Sequence, residues 1–326
     1  MKISVIIATF RRAESLHRTL RTIAAQSLQP YEVIVVDQSP PDQKAAVISA
    51  INDLKQVGLI IRLIDSDIPS STLARNLGLS SAVGDWAVFS DDDVDWPAGV
   101  LADLTEKVKA DPGLALVAAR DMRAPTSARP IWRRVFAAFF LTNTLSLLKT
   151  GKVLACMQAR YPQPIVGDMP TDWAMGYWFA IDRRLVLRHG LSFDEKMKRY
   201  AQAEDMLFTH QFYMAASQEG RRCIVSERIA VTHLVSQEWR EPTSFSDLCG
   251  AWNRIYIASK LRSGLGFWLC LAAIFWAMGH QVIVRIQKGR GWVRYVTAHL
   301  VALANLRTIR AGQFDDLYRR YESRAP

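Results

Sequence analysis

The sequence predicts an α/β fold, a mostly parallel central sheet flanked by helices, extended at the C-terminus by a basic helical region. Short apolar or β-branched runs alternate with helix-period segments through the first 120 residues. Four aspartates, Asp91, Asp92, Asp93 and Asp95, crowd into five positions directly after one of those runs. The basic charge and the longest uncharged stretch coincide in the last quarter of the chain. With 326 residues, half of them apolar, there is enough chain to bury a full core of this kind.

The strand-like runs are 3–8, 32–36, 59–64, 86–89 and 114–118. Between the first two, Leu16, Leu20 and Ile23 recur at helical spacing, and 72–82 and 98–110 offer two further helices. Alternation of this sort needs crossover connections and therefore parallel strands. Residues 121–172 are interrupted by proline and read as irregular, apart from the uncharged run 135–148. No G-x-G-x-x-G follows the first strand, and neither a G-x-x-x-x-G-K-[ST] loop nor a G-x-S-x-G elbow occurs, which disfavours dinucleotide oxidoreductases, P-loop phosphotransferases and serine hydrolases. Cys156, Cys223, Cys249 and Cys270 are dispersed, without a disulfide framework or zinc spacing, as expected of a reducing, cytosol-facing protein. The N-terminal apolar run is too short for a secretion signal and reads as the first strand.

A short buried strand that releases clustered carboxylates at its C-terminal end places repelling charges at the mouth of an α/β sheet, where ligands bind. Asp91 and Asp93 at D-x-D spacing suit a hard divalent ion, Mg²⁺ or Mn²⁺, held together with substrate phosphates. The competing reading is a solvated acidic turn before a helix that starts at Pro97. In the tail, residues 251–326 hold 12 Lys/Arg against Asp315, Asp316 and Glu322, so +9 of the net +10 lies there. Residues 263–284 contain no Asp, Glu, Lys or Arg, and Trp252, Trp268, Trp276 and Trp292 are spread through the same region. Basic flanks around interrupted apolar runs describe helices lying in or dipping into an anionic membrane surface, in preference to a single span or a buried soluble domain. Nucleic acid is not an expected partner, because the basic residues bracket apolar runs and form no polar stripe.

The order of motifs resembles the inverting family-2 glycosyltransferases with the GT-A fold, from Lys2 to about His233. Ser4 to Phe10 resembles the opening strand and nucleotide loop, and Glu32 to Ser39 the second strand ending on a base-binding Asp. Ala74-Arg75-Asn76-Leu77-Gly78 resembles the ARNxG helix, Gly84-Asp85-Trp86 the entry to the next strand, and Asp91-Asp92-Asp93 the DXD motif. Met175 to Ala180, followed by Arg183-Arg184, resembles the acceptor-side strand. Phe193-Asp194-Glu195 ahead of Ala203-Glu204-Asp205 resembles the family's FDE and ED pair. The resemblance implies a nucleoside diphosphate sugar as donor, held by Ala8, Thr9 and Arg11, by Asp37 at the base, and by Arg75, Asn76, Asp91 and Asp92 around the diphosphate. It implies a metal on Asp91 and Asp93, joined by His233, and Asp205 with Glu204 as the catalytic acids, Asp205 being the base that deprotonates the acceptor. Asp205 and Glu204 open a helix expected over 205–216, where the macrodipole favours negative charge.

Gln38 stands where the family often has a second acidic residue, Ala203 replaces a usual Gly, and 235–240 lacks the Q-x-x-R-W of processive synthases, which favours single-sugar transfer. The expected protein has a GT-A-like domain over 1–245 and a membrane-associating helical region over 246–326. It works at the cytoplasmic face of the cell membrane, peripheral or re-entrant, on a lipid-linked or cell-surface saccharide acceptor in polysaccharide biosynthesis. A metal-dependent nucleotidyltransferase and a non-catalytic membrane scaffold are the alternatives. The first would carry a triphosphate loop early in the chain, for which Thr9-Phe10-Arg11-Arg12 is a poor match, and the second would tolerate loss of Asp205.

Overall fold

The computed structural model describes all residues except 57, 128–129, 143–150, 200, 241 and 323–326. Residues 143–148 of the uncharged 135–148 run lie outside the described residues. The first half of the chain contains β1 (Ile3–Thr9), α1 (Ala13–Ala24), β2 (Glu32–Asp37), α2 (Pro41–Lys55), β3 (Ile61–Asp65), α3 (Ser71–Ser81), β4 (Trp86–Ser90), β5 (Val94–Asp95), α4 (Val100–Ala110), β6 (Leu114–Asp121) and α5 (Ile131–Phe139). The second half contains β7 (Lys152–Val153), β8 (Ala159–Arg160), β9 (Asp168–Pro170), β10 (Trp178–Asp182), α6 (Arg183–His189), α7 (Glu204–Gln218) and β11 (Arg222–His233). The helices α8 (Thr243–Leu261), α9 (Gly264–Gln287), α10 (Trp292–Ala304), α11 (Leu306–Ala311) and α12 (Phe314–Glu322) follow.

The main sheet has the order β3-β2-β1-β4-β10-β6-β11-β5, with β9 on β11. β1 runs parallel to β2 and β4, β2 to β3, and β6 to β11, while β10 runs antiparallel between β4 and β6. Strands covered on both faces read as continuous apolar runs, which is why β1, β2 and β4 are visible in the sequence. Their residues divide by parity. Val5, Ile7, Val33, Val35, Trp86 and Val88 pack on one face with Leu16, Leu20 and Ile23 of α1. Ile6, Ile34, Val36, Ala87 and Phe89 pack on the other with Phe179, Phe208 and Phe212.

Two features depart from the sequence reading. Between β2 and β3, where the sequence reading placed no helix, Pro41 opens α2, and Val47, Ala50, Ile51 and Leu54 are buried at helical spacing; proline is preorganised for a helix start. Within the irregular 121–172 stretch, α5 and three very short strands form. The C-terminal helices do not stand apart from the sheet domain. Trp252, Tyr256 and Phe267 share one core with Met157 before β8, Trp173 before β10, Met197 in the approach to α7, and Met206 and Leu207 in its first turn.

Candidate active site

Parallel strands end on one side of a sheet, so β1, β2 and β4 deliver the segments after Thr9, Asp37 and Ser90 to a common rim. Immediately past β4, the short strand β5 pairs with the end of β11, setting Val94 opposite His233. That pairing brings His233 to the aspartates, and Leu234 N–H donates to the Asp93 carbonyl at 2.8 Å. Ligand atoms of Asp91, Asp93 and His233 lie within 4.8 Å of one another. His233 Nε2 is 3.2 Å from Asp93 Oδ1 and 3.9 Å from Asp91 Oδ2. Its ring stacks on Tyr177, with centroids 5.4 Å apart, and Tyr177 is itself held by a 2.7 Å bond to the Ala119 carbonyl.

The donor set fits a divalent cation. Asp93 Oδ1 is buried without a well-directed hydrogen bond, while Oδ2 accepts from Ser236 N–H at 2.8 Å. Two carboxylates and one imidazole suit a borderline ion such as Mn²⁺. Burial works against protonation of His233, but Asp93 and Asp91 prevail and hold it above its ordinary value. Asp92 behaves differently from its neighbours. Its carboxylate accepts from Thr9 Oγ1 at 2.7 Å and Arg12 Nη1 at 3.1 Å, and burial with the adjoining Asp93 pushes it up to about 7 against the pull of Arg12. It lines the cleft, and its side chain ties β1 to the loop after β4.

Across the cleft, Ala203 turns through a left-handed conformation (φ 72°) and starts α7 at Glu204, one residue earlier than the sequence spacing indicates. Asp205 Oδ2 accepts from Gly176 N–H at 2.6 Å and Oδ1 from Met206 N–H at 2.7 Å, so both oxygens are oriented by backbone. Gly176 permits this approach, because a Cβ there would lie 3.1 Å from Asp205 Oδ2 and 3.2 Å from Arg75 Nη2. Burial raises Asp205, opposed by Arg75 and the two N–H donors. Burial likewise raises Glu204, against its direct ion pair with Arg75. The nearly buried Arg75 bridges the two sides, with Nη2 3.0 Å from Asp91 Oδ1 and Nη1 on Glu204.

Ala8, Thr9, Arg75, Asp91, Asp92, Glu204, Asp205 and His233 thus line one cleft of about 390 Å³. Asp93, buried beside Asp91 and His233, is not itself in the lining, and three further expected site residues lie outside it. Asp37 is buried outside the cleft lining, its Oδ1 accepting from Ser39 N–H at 2.9 Å in a turn, while Gln38 beside it faces the cleft. Asn76 clamps the segment before α7, donating to Phe193 O at 2.9 Å and Glu195 Oε1 at 2.8 Å and accepting from Phe193 N–H at 2.8 Å. Arg11 is outside the lining, its guanidinium 5.2 Å from the centroid of the ring of Phe10, which does line the cleft. Its neighbour Arg12 takes the inner position, and donates through Nε and Nη2 to Trp239 O at 3.1 and 2.9 Å. Trp239, packed edge-on to Phe10 at 4.7 Å, and Gln202 complete the lining. Single residues in loops carry no periodic signal, so neither stood out in the sequence.

A doubly covered parallel sheet with an acidic cleft at its strand ends defines the class, a nucleotide-sugar transferase type of fold. Residues 4–165 match the family model described as Glycosyl transferase family 2, and the chain belongs to that family. It is 31% identical over 178 residues to the undecaprenyl-phosphate 4-deoxy-4-formamido-L-arabinose transferase of Sodalis glossinidius, covering 52% of this chain and 51% of that protein. It is 30% identical over 107 residues to the GalNAc(5)-diNAcBac-PP-undecaprenol beta-1,3-glucosyltransferase of Campylobacter jejuni, covering 32% and 34%. The aligned stretches span about a third to a half of the curated relatives. Among solved structures, a mannosyltransferase of Pyrobaculum calidifontis in complex with GDP-Man and Mn²⁺ superposes with a TM-score of 0.55 at 20% identity, covering 96% of this chain and 84% of that one. The family match ends before Asp205 and His233.

Proposed function

We propose that the protein is a metal-dependent, inverting glycosyltransferase that moves a single sugar from a nucleoside diphosphate sugar to a lipid-linked or cell-surface saccharide acceptor. One observation carries this reading: Asp91 and His233, clustered with the buried Asp93, line the same cleft as Asp205, with Arg75 on Asp91 and Glu204 between them. Asp91, Asp93 and His233 would hold a divalent ion, which supplies charge neutralisation to the leaving diphosphate when bound. Arg75 then offers a guanidinium to the same diphosphate as the Asp91 and Glu204 pairs rearrange. Asp205, fixed by Gly176 and Met206 and raised by burial, accepts the proton of the acceptor hydroxyl. Attack from that wall, opposite the departing diphosphate, inverts the anomeric centre. Asp37, at the end of β2 with Oδ1 on Ser39 N–H, stays our candidate for contact with the nucleobase, while the Gln38 amide is spent on the Ser70 backbone.

We assign the sugar chemistry to residues 1–245 and membrane association to 246–326. In support, α9 is long and apolar enough to cross a bilayer, yet a third of its most apolar stretch is buried within the protein, which favours an interfacial position over a span. Lys196, Lys260, Arg307 and Arg310 surround a basic recess near the exposed Trp268, as an anionic cytoplasmic leaflet would require. The lipid-linked relatives agree with such a location. A donor-hydrolysis screen across nucleotide sugars, with and without Mn²⁺ and with product configuration read by proton NMR, tests the proposal. Mn²⁺-dependent release of an inverted sugar is expected, and hydrolysis that ignores metal or retains configuration contradicts it.

A further inference from the structure

A second cavity, of about 410 Å³, shares Met175, Gln202, Ala203 and Asp205 with the donor cleft but none of the aspartates after β4. It leads from the base toward the C-terminal helices. Asp247, Gly250 and Arg254 of α8 line it from one helix face. Gly250 leaves room for the Gln202 amide at the junction, since a Cβ there would lie 2.4 Å from Gln202 Oε1 and displace it. The far end is rich in guanidinium: Arg160 from β8, Arg254 from α8 and Arg285 from α9. Asp247 is committed to Arg285, at 2.6 Å, and to Arg294, at 3.2 Å. Arg254 donates to Tyr295 Oη at 3.2 Å, and no carboxylate of the described residues pairs with it.

We propose that this cavity is the acceptor chamber, and that its arginine end binds the phosphate or diphosphate of a lipid-linked saccharide while the sugar reaches Asp205. The proposal rests on the transferase reading and narrows it to an anionic, lipid-bearing acceptor. A neutral sugar needs hydrogen-bond donors but no positive charge, whereas phosphate oxygens match guanidinium groups in both charge and geometry. A lipid is favoured over a free phosphate by what adjoins the chamber. The helix that contributes Gln281 and Arg285 exposes Trp276 little more than one turn before Gln281; α5, joined to it by Trp276 Nε1–H donating to the Phe139 carbonyl at 2.7 Å, exposes Val135 and Phe139, and the Thr142 carbonyl just beyond α5 accepts from Arg160 Nε at 3.3 Å. In the transfer, the acceptor O–H proton passes to Asp205 and the oxygen lone pair forms the bond to the anomeric carbon. The bond from that carbon to the donor phosphate oxygen breaks, its electron pair leaving with the nucleoside diphosphate.

The test uses the full chain in detergent with EDTA, so that metal-dependent diphosphate binding at Asp91 and Asp93 is absent. Farnesyl diphosphate, farnesol and inorganic pyrophosphate are the probes, with binding followed by tryptophan fluorescence. Farnesyl diphosphate is expected to bind more tightly than either control, and Arg254→Gln to weaken it about tenfold without affecting farnesol. Arg254→Lys should recover part of the loss. Binding of nucleoside diphosphate with Mn²⁺, measured separately, should be unchanged in Arg254→Gln; if that variant loses it through misfolding, Arg160→Gln serves instead and should show the same loss for farnesyl diphosphate. Equal affinity for farnesol, or no effect of either substitution, overturns the anionic subsite. Equal affinity for pyrophosphate overturns the lipid assignment. Failure of the wild type to bind nucleoside diphosphate with Mn²⁺ strikes the transferase reading and leaves this subsite standing.

Discussion

The two walls of the cleft are built by different means. The metal-side wall is made of strand ends, where β1, β4 and β11 fix Thr9, Asp91, Asp93 and His233 through sheet register and backbone hydrogen bonds. The base-side wall hangs on loops and helices, with Asp205 held at the start of α7 by Gly176 and backed by a core that α8 completes through Trp252 and Tyr256. A strand-end site is rigid because the sheet is rigid; a helix-start site is only as well placed as the packing beneath it. Substitutions should therefore separate the two walls, the first through binding of metal and nucleotide and the second through stability and turnover.

The largest effect is expected on the metal side. Asp91→Asn with Asp93→Asn should abolish Mn²⁺-dependent nucleoside diphosphate binding while the fold survives, as titration calorimetry with circular dichroism can establish; unchanged affinity would remove the site. On the other wall, Trp252→Ala empties part of the joint core and should cost about 3–5 kcal/mol of stability by denaturant unfolding. A loss under about 1 kcal/mol would show that the C-terminal helices are an independent unit. For the same reason, truncation before α8 should yield a poorly folded sheet domain.

The pH dependence of the two regions also differs. His233 is held above its ordinary value and must be neutral to ligate a metal, so Mn²⁺ affinity is full above its pKa and falls as pH drops through it. Below about pH 6.5 the fall approaches about tenfold per unit, since one proton is exchanged per metal, and His233→Gln should flatten that step. His299, buried between α9 and α10, has its pKa lowered to about 4 by burial. Its neutral form is favoured in the fold, so its contribution is present above about pH 6.5 and lost as pH falls toward 4, amounting to at most about 3 kcal/mol. Thermal denaturation of His299→Gln across that range should show a shallower acid slope than the wild type.

The sheet was legible because doubly buried strands write continuous apolar runs, and the carboxylate cluster because it follows such a run directly, although the cluster alone left a solvated acidic turn open. The antiparallel direction of β10 was not legible, since a five-residue apolar strand carries no sign of its orientation. Asp37 and Asn76 have partners that their motifs did not reveal, the first accepting from Ser39 N–H in a turn and the second clamping the 193–195 segment. Arg12 and Trp239 meet across 227 positions of sequence, a contact that only the assembled β5–β11 rim creates. The acceptor chamber was hidden for the same reason, its arginines coming from three separate elements.

The central claim is that the metal-side wall binds the donor and Asp205 deprotonates the acceptor. Asp205→Asn tests it most directly, because amide and carboxylate are nearly isosteric and one of the Gly176 and Met206 N–H groups keeps its oxygen acceptor while the acidic oxygen is lost. With donor affinity and single-turnover rate measured on the same preparation, the variant should bind nucleoside diphosphate with Mn²⁺ as the wild type does and transfer sugar about 10²–10⁴-fold more slowly. Collapse of donor affinity with an undiminished rate per bound donor would contradict the account and move the base to another group, Glu204 first.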